Sequence, residues 1–393
     1  MEMGPQSLWQ IPSDCGAMSV WDTSMGMCMP LPMPGMPMKM LMTHGNLFGT
    51  QTWQGGSRGT QAISSTQMIM IDSGSSLGDF HYLNVDLMIT AEKWTVPARG
   101  YPLLLQIGDR NQYGAPYLDA QHPHSSPIMG ITLSDTIWLG GAKDHIKVFF
   151  APRGEATDGP IAFLHRATGI INPDAPLGHH IGQDVSHVSS TVLGFSLKLS
   201  KIRFELSAHH ESEAPPDQVN LPIGVPDSFS SRFIYEGSNE WATYLSFGHL
   251  ASGEKRYSAS TYTYLPLTSA WTFHNSLIWG LVTPYDSAPS LHSFSEEFLL
   301  RGDRPRIWCR LEVLQRTGGE LEIPALIHPN GQWLTALTLG YTHNLSRWRE
   351  LDLGLGFSIT KNWLPEEFRS TYGGNPWSGK IFLQLGGMGM WGF

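Results

Sequence analysis

From residue 38 to the end of the chain, apolar residues recur at every second position, a spacing that suits extended strands with two unlike faces. In 79–92, Leu83, Val85, Leu87, Ile89 and Ala91 alternate with Asn84, Asp86, Met88, Thr90 and Glu92. In 350–360, Leu351, Leu353, Leu355, Phe357 and Ile359 alternate with polar or small residues, and Ile307, Cys309, Leu311 and Val313 alternate with Arg306, Arg310 and Glu312. The chain has 42 Gly and 27 Pro but only 15% charged residues, against roughly 25% in ordinary soluble domains. That composition suits many short strands and turns. No apolar run reaches the roughly 18 residues a spanning helix requires.

A soluble sandwich also alternates, so the connections decide between the two architectures. Sixteen strands are predicted, at about 38–50, 66–73, 79–91, 131–139, 145–152, 190–199, 202–210, 229–236, 241–249, 257–265, 271–281, 295–301, 305–314, 333–341, 350–360 and 379–393. Their connections alternate short (DSGSSLG, LGGAKD, LSK, EGSNE, PLTSA, RGDR) and long, the pattern of an outer-membrane barrel. The short ASGEKR and the longer YTHNLSRWRE break the rule, which leaves 12 or 14 strands as alternatives. The last strand, KIFLQLGGMGMWGF, ends on Phe393 with Trp391 before it and resembles the C-terminal signal of bacterial outer-membrane barrels. The fold class expected is all-β: a transmembrane antiparallel barrel over 38–393, with a Met-rich N-terminal arm, 1–37, as a periplasmic arm or plug. Trp94, Trp138, Trp241, Tyr264, Trp271, Trp279, Trp333 and Tyr341 lie near strand ends, where membrane barrels carry aromatic girdles. The opening MEMGPQSLWQ has no basic start followed by an apolar stretch, so the expectation is a mature form whose export signal has been removed.

Eleven of the 17 methionines lie in the first 42 residues, where Pro30, Pro32, Pro34 and Pro37 disfavour helix and sheet alike. A flexible arm is expected, hanging in the periplasm. Its Met25, Met27, Cys28, Met29, Met33 and Met36 form a soft ligand set suited to Cu(I); packing against a neighbour is the competing reading. Cys15 and Cys28 could instead close a loop in an oxidising compartment. In the barrel, an outward apolar face would put Met38, Met40, Met42 and His44 of the first strand into the lumen, together with Met68, Met70, Met388 and Met390. First and last strands would be neighbours at the closure, so these residues would form one Met/His ladder, unless they merely fill space around a plug.

Histidine is concentrated in the two longest loops, 92–130 and 153–189: His122 and His124 in the first, and His165, His179, His180 and His187 in the second. Imidazole is a common metal ligand, but no structural-zinc spacing is present. Asp119, Arg153, Glu155, Asp158, Arg166, Asp174 and Asp184 share these loops, so a charged network folding them inward competes with metal binding. Enzyme motifs are missing, and His274 and Ser276, two apart on one face, are the sole catalytic suggestion. With a net charge of −9 and no basic block, nucleic acid is excluded as a partner.

The segments DAQHPHSSP, FFAPRGEATDGP and APLGHHIGQDVSH, with the Met-rich start, resemble an uncharacterised family of bacterial outer-membrane proteins loosely associated with copper handling, over about 36–393. The resemblance carries no activity; it implies that the loop histidines belong to the family's motif. The function expected is binding or passage of soft metal ions, copper above all, through weak sites in series, with membrane lipid and a periplasmic copper-handling protein as partners. The alternatives are a structural or adhesive surface barrel, and a general small-solute porin. The porin reading is weakened by the few lumen charges evident, such as Arg306, Arg310 and Glu312.

Overall fold

A computed structural model describes residues 19–22, 27–30, 35, 37–111, 113–124, 126–140, 144–183, 188–210, 219, 223–286, 288–323, 330–348 and 351–392. The chain runs through β1 (Ser19–Asp22), β2 (Met27–Pro30), β3 (Lys39–Gln54), β4 (Gln61–Leu77), β5 (His81–Ile89), the short helix α1 (Glu92–Thr95), β6 (Tyr101–Arg110), β7 (Pro116–Gln121), β8 (Ile128–Trp138) and β9 (His145–Gly154). It continues through β10 (Ser189–Leu199), β11 (Ile202–His210), β12 (Ser228–Ser238), β13 (Trp241–His249), β14 (Lys255–Pro266) and β15 (Trp271–Thr283). The last elements are β16 (Leu291–Gly302), β17 (Pro305–Arg316), β18 (Gln332–Trp348), β19 (Leu351–Trp363), α2 (Glu366–Tyr372) and β20 (Trp377–Gly392). Sixteen of these strands close into one antiparallel barrel, β3, β4, β5 and β8 to β20, with β20 pairing to β3 across the closure. Closure satisfies the backbone of every wall strand, which is what a lipid environment demands.

The two faces are inverted relative to a soluble protein. Leu83, Leu245, Ile307, Leu339, Leu355 and Leu383 are exposed on the outside, while Thr52, Ser230, Arg306, Arg316 and Asp352 are fully buried inside. Strands of 9 to 17 residues are long enough for a tilted crossing, which takes about 9 to 11 residues. Exposed tryptophans gather at both ends of the wall. Trp53, Trp333, Trp363 and Trp377 mark the end with long connections, and Trp241, Trp348 and Trp391 the end with short turns. Of the aromatics singled out from the sequence, only Trp138 is buried, edge-on against His145. A closed wall with this outward apolar band and two aromatic belts is an outer-membrane barrel. No helix among the described residues is long and apolar enough to cross a membrane.

Two readings of the connections are revised. β18 runs on to Trp348 past an irregularity between Asn344 and Ser346, so YTHNLSRWRE is mostly strand and the turn to β19 is short. This removes one exception to the long–short rule; the brief β13–β14 turn remains, and the β3–β4 connection is brief as well, because those strands extend to Gln54 and from Gln61. The prolines do not keep all sheet out of the arm, because Ser19–Asp22 pairs with Met27–Pro30 ahead of the Pro-rich run. Nor does its described part hang free: Cys28 is buried, Met29 packs on the Met seam of the wall, and the Gly35 amide donates to the Asp79 carbonyl in the β4–β5 turn (2.9 Å).

The two longest connections fold into the barrel from the long-loop end. Residues 90–127 carry the β6–β7 hairpin, where Leu104, Leu105 and Gln106 are buried, and nearly every described residue of 155–183 is buried as well. Leu105 and Asp119 hold left-handed backbone (φ 69° and 51°), which costs about 1–3 kcal/mol at non-glycine residues and persists only where the surroundings impose it. Here the Asp119 carboxylate accepts the Leu105 amide (2.7 Å) and the Tyr372 hydroxyl (2.8 Å), and the Leu105 carbonyl accepts from Arg316 (3.2 Å).

Candidate functional site

The inward parity of β3 places Met38, Met40, Met42 and His44 in a column on the lumen wall, all buried. Register brings the neighbours alongside: Met390 lies opposite Met42 and Met388 opposite His44 on β20, while Met70 lies opposite His44 and Met68 opposite Asn46 on β4. Directly opposed residues in an antiparallel pair stand with Cβ atoms about 4.5–5.5 Å apart, so thioethers flank His44 on both sides. Met68, Met388 and Met390 are buried, and Met70 is partly so. Met38, Met40, Met42, Met388 and Met390 pack as one cluster with Tyr82 and Met29. His44 is 2% exposed and neither ring nitrogen meets a hydrogen-bonding partner among the described residues. His165, from the inward loop 155–183, stands edge-on to it with ring centroids 5.6 Å apart. Burial pushes the His165 imidazole down from its usual pKa, against the opposing pull of Glu155 and Asp86. A neutral imidazole among thioethers is a soft donor set, and the orphaned His44 nitrogens fit a soft cation such as Cu(I).

The loop histidines gather elsewhere. Ring nitrogens of His122, His179 and His180 all lie within 4.8 Å of one another. His124 stands beside His122 (5.4 Å between centroids) but is engaged by Glu92, whose Oε2 accepts its backbone amide (2.8 Å) and faces its Nδ1 (3.2 Å). The sequence-derived set thus divides into a wall seam joined by His165 and a loop triad. Met25, Met33, Met36, His187 and the Met27 side chain lie outside the described residues. Cys28 leaves the ligand set, because it is disulfide-bonded and has no thiolate to offer.

The charged network expected as a competitor is present. Arg166 donates to both carboxylate oxygens of Glu297 (Nη2 at 2.9 Å, Nε at 3.2 Å), and Arg310 and Thr168 donate to the same carboxylate. Lys380 of β20 pairs with Asp174 and donates to the Tyr101 hydroxyl (3.0 Å). Arg232 pairs with Glu155 (3.2 Å) and Arg256 with Asp158 (3.5 Å), while Arg316 donates to Gln106 (3.1 Å) and to the Leu177 carbonyl (2.7 Å). Among loop groups, burial raises the Asp119 carboxyl, with Leu105, Tyr372 and Arg58 opposing, and burial with Asp174 nearby raises Tyr101. The lumen is therefore not poor in charge. Arg232, Arg256, Arg301, Arg306, Arg310 and Arg316 all turn inward from β12, β14, β16 and β17. The low overall charge concealed this row because a lipid-facing half of uncharged residues dilutes it; strand parity was the signal that could have found it. His274 and Ser276 do share the inner face, but Ser276 bonds Thr168 (2.7 Å) and His274 faces Thr272 (3.2 Å), so they form no dyad.

No family model matches the chain, and no curated protein matches it. Among solved structures it is similar to OmpF of Salmonella typhi in complex with daunomycin, at 8% identity and a TM-score of 0.55, over 88% of this chain and 97% of that one. It is also similar to OmpT, an outer-membrane protein of Vibrio cholerae in its trimer form, at 7% identity and a TM-score of 0.51, over 88% and 99% of the two chains. At such identities the likeness is one of fold, and the fold is that of a sixteen-stranded, porin-like outer-membrane barrel.

Proposed function

We propose that this barrel binds and passes soft metal ions, copper above all, along the Met/His seam where its first and last strands close. The observation that carries the reading is the register of that seam, which stacks Met42–Met390 and His44–Met388 as adjacent inward pairs with Met70 on the far side of His44. Several weak thioether sites in series let an ion both enter and leave. The arm hairpin, with Met29 packed against the Met seam, extends the series toward the short-turn end, where a periplasmic copper-handling protein would exchange the ion. The test is anaerobic titration of the detergent-folded protein, its disulfide left intact, with Cu(I) against a chromophoric chelator, beside a Met42→Leu/Met388→Leu/Met390→Leu variant. Uptake that falls sharply in the variant supports the reading; equal uptake, or none by either protein, overturns it.

A second reading, passage of small polar solutes, is favoured by the inward arginine row facing Glu155, Asp158 and Glu297. It expects conductance in planar bilayers that ignores copper and responds to replacement of those arginines. A barrel that only anchors surface loops would share the filled outer half, but it would show neither copper uptake nor solute passage.

A further inference from the structure

The two inward loops meet at an all-imidazole contact that the seam does not use. His122 follows β7 in the first loop, and His179 and His180 lie in the second. Their rings stand 5.2 Å (His122–His180), 4.5 Å (His179–His180) and 6.3 Å (His122–His179) apart between centroids, and one nitrogen of each lies within 4.8 Å of one on both others. His122 and His179 are buried and His180 is partly so. β6 makes room for them with a glycine: a Cβ at Gly108 would stand 2.7 Å from His122 Cδ2 and 3.3 Å from His180 Nε2. Glu92 is engaged by His124, and among the described residues the donors that converge here are the three imidazoles.

We propose that His122, His179 and His180 form a binding site for a borderline divalent transition-metal ion, Zn2+ or Cu2+, which staples the two inward loops together. Three imidazoles with a fourth position left to water or a substrate ligand suit these ions, whereas the thioether seam suits the monovalent one. Shifts of an ångström or so would bring the three nitrogens to bonding distance of one ion, since Zn–N bonds are about 2.0–2.1 Å long. Because one ligand comes from one loop and two from the other, the ion would resist separation of the loops, and its removal would loosen the material filling the outer half of the barrel. The site rests on the loop geometry alone and stands or falls independently of the seam.

The test uses the full chain, folded in detergent and stripped with a chelator, then titrated with Zn2+, with Cu2+ as a paramagnetic probe. Hydrogen exchange is followed over 100–124 and 160–183. The expected result is uptake of Zn2+ with slowed exchange in both loops, and nitrogen hyperfine coupling to bound Cu2+. His179→Gln/His180→Gln should lose that uptake and that protection, since loss of an outer-shell partner alone typically costs about 10- to 100-fold in affinity. Gly108→Ala, which keeps all three ligands but crowds two of them, should weaken binding without abolishing it. Met42→Leu/Met390→Leu should leave the Zn2+ result unchanged, so a failed seam and a failed triad give different outcomes. Zn2+ uptake and loop protection that are equal in the native chain and the double-histidine variant, or absent from the native chain, would overturn the proposal.

Discussion

Replacing Glu297 by alanine should loosen the second inward loop around Arg166 and Thr168 while leaving the barrel closed. The Glu297 carboxylate is the shared acceptor of Arg166 and Thr168, both from that loop, and of Arg310 on β17. The side chains of Arg166, Arg310 and Glu297 are 0%, 2% and 1% exposed, so removal of the anion strands two guanidinium groups away from water. Breaking a buried ion pair from one side costs about 3–5 kcal/mol, and each 1.4 kcal/mol is tenfold in an equilibrium constant. The docked loop should therefore lose roughly two to three and a half orders of magnitude in its closing equilibrium. Among the described residues the Glu297 side chain bonds no wall strand other than β17, and the backbone ladders stay intact, so the loss should appear in the loop and not in unfolding of the wall. Hydrogen exchange over 160–183 and single-channel conductance in planar bilayers report it: faster exchange and more frequent or larger openings are expected. Glu297→Gln, which keeps an acceptor, should fall between the two. Exchange in Glu297→Ala within about threefold of the native chain would refute the reasoning, because it would mean that this cluster contributes little to holding the loop beside the Lys380–Asp174, Arg232–Glu155 and Arg316–Leu177 contacts.

Protonation of His165 should act in the same direction. Its folded pKa lies below the usual 6.5, so the undocked histidine binds a proton more readily; docking is at full strength above that pH and weakens as pH falls below it. Loop protection factors, which take out the intrinsic pH dependence of amide exchange, that fall between neutral pH and pH 5 and no longer fall in His165→Phe check this. Asp119→Ala leaves the Leu105 amide and the Tyr372 hydroxyl without their acceptor and removes one of several from Arg58, and at about 1–3 kcal/mol for a buried polar group left unsatisfied it should raise exchange across β6–β7 by one to two orders of magnitude. Met42→Leu/Met390→Leu conserves volume and should shift barrel stability by less than about 1.5 kcal/mol in denaturant titrations even where Cu(I) uptake collapses. A large stability loss there would show that the seam methionines serve packing.

The wall was legible because its determinants are local. Strand parity is a two-residue period, turn chemistry occupies a few residues, and a closed barrel has only one way to bring its terminal strands together; these are enough to expect sixteen strands and a Met/His seam with Met388 and Met390 beside the first strand. The misreadings have physical causes. The irregularity at Asn344–Ser346 shifts the register within β18, which makes continued strand look like a turn. The β6–β7 hairpin depends on left-handed Leu105 and Asp119, conformations imposed by Arg316 and Tyr372 more than 200 residues away in sequence. Cys28 looked like a soft ligand because a sequence does not show oxidation state.

The sequence by itself determined which side chains face lipid and which face the lumen, since that follows from alternation along each strand. Only the tertiary structure decided what the inward residues meet. It set Arg166 of one loop against Glu297 of the wall, His165 beside His44, and His122 against His179 and His180. Those contacts join segments more than 50 residues apart, and no local period encodes them. They arise because a closed wall leaves the two long loops an enclosed, polar interior in which their buried charges must find partners.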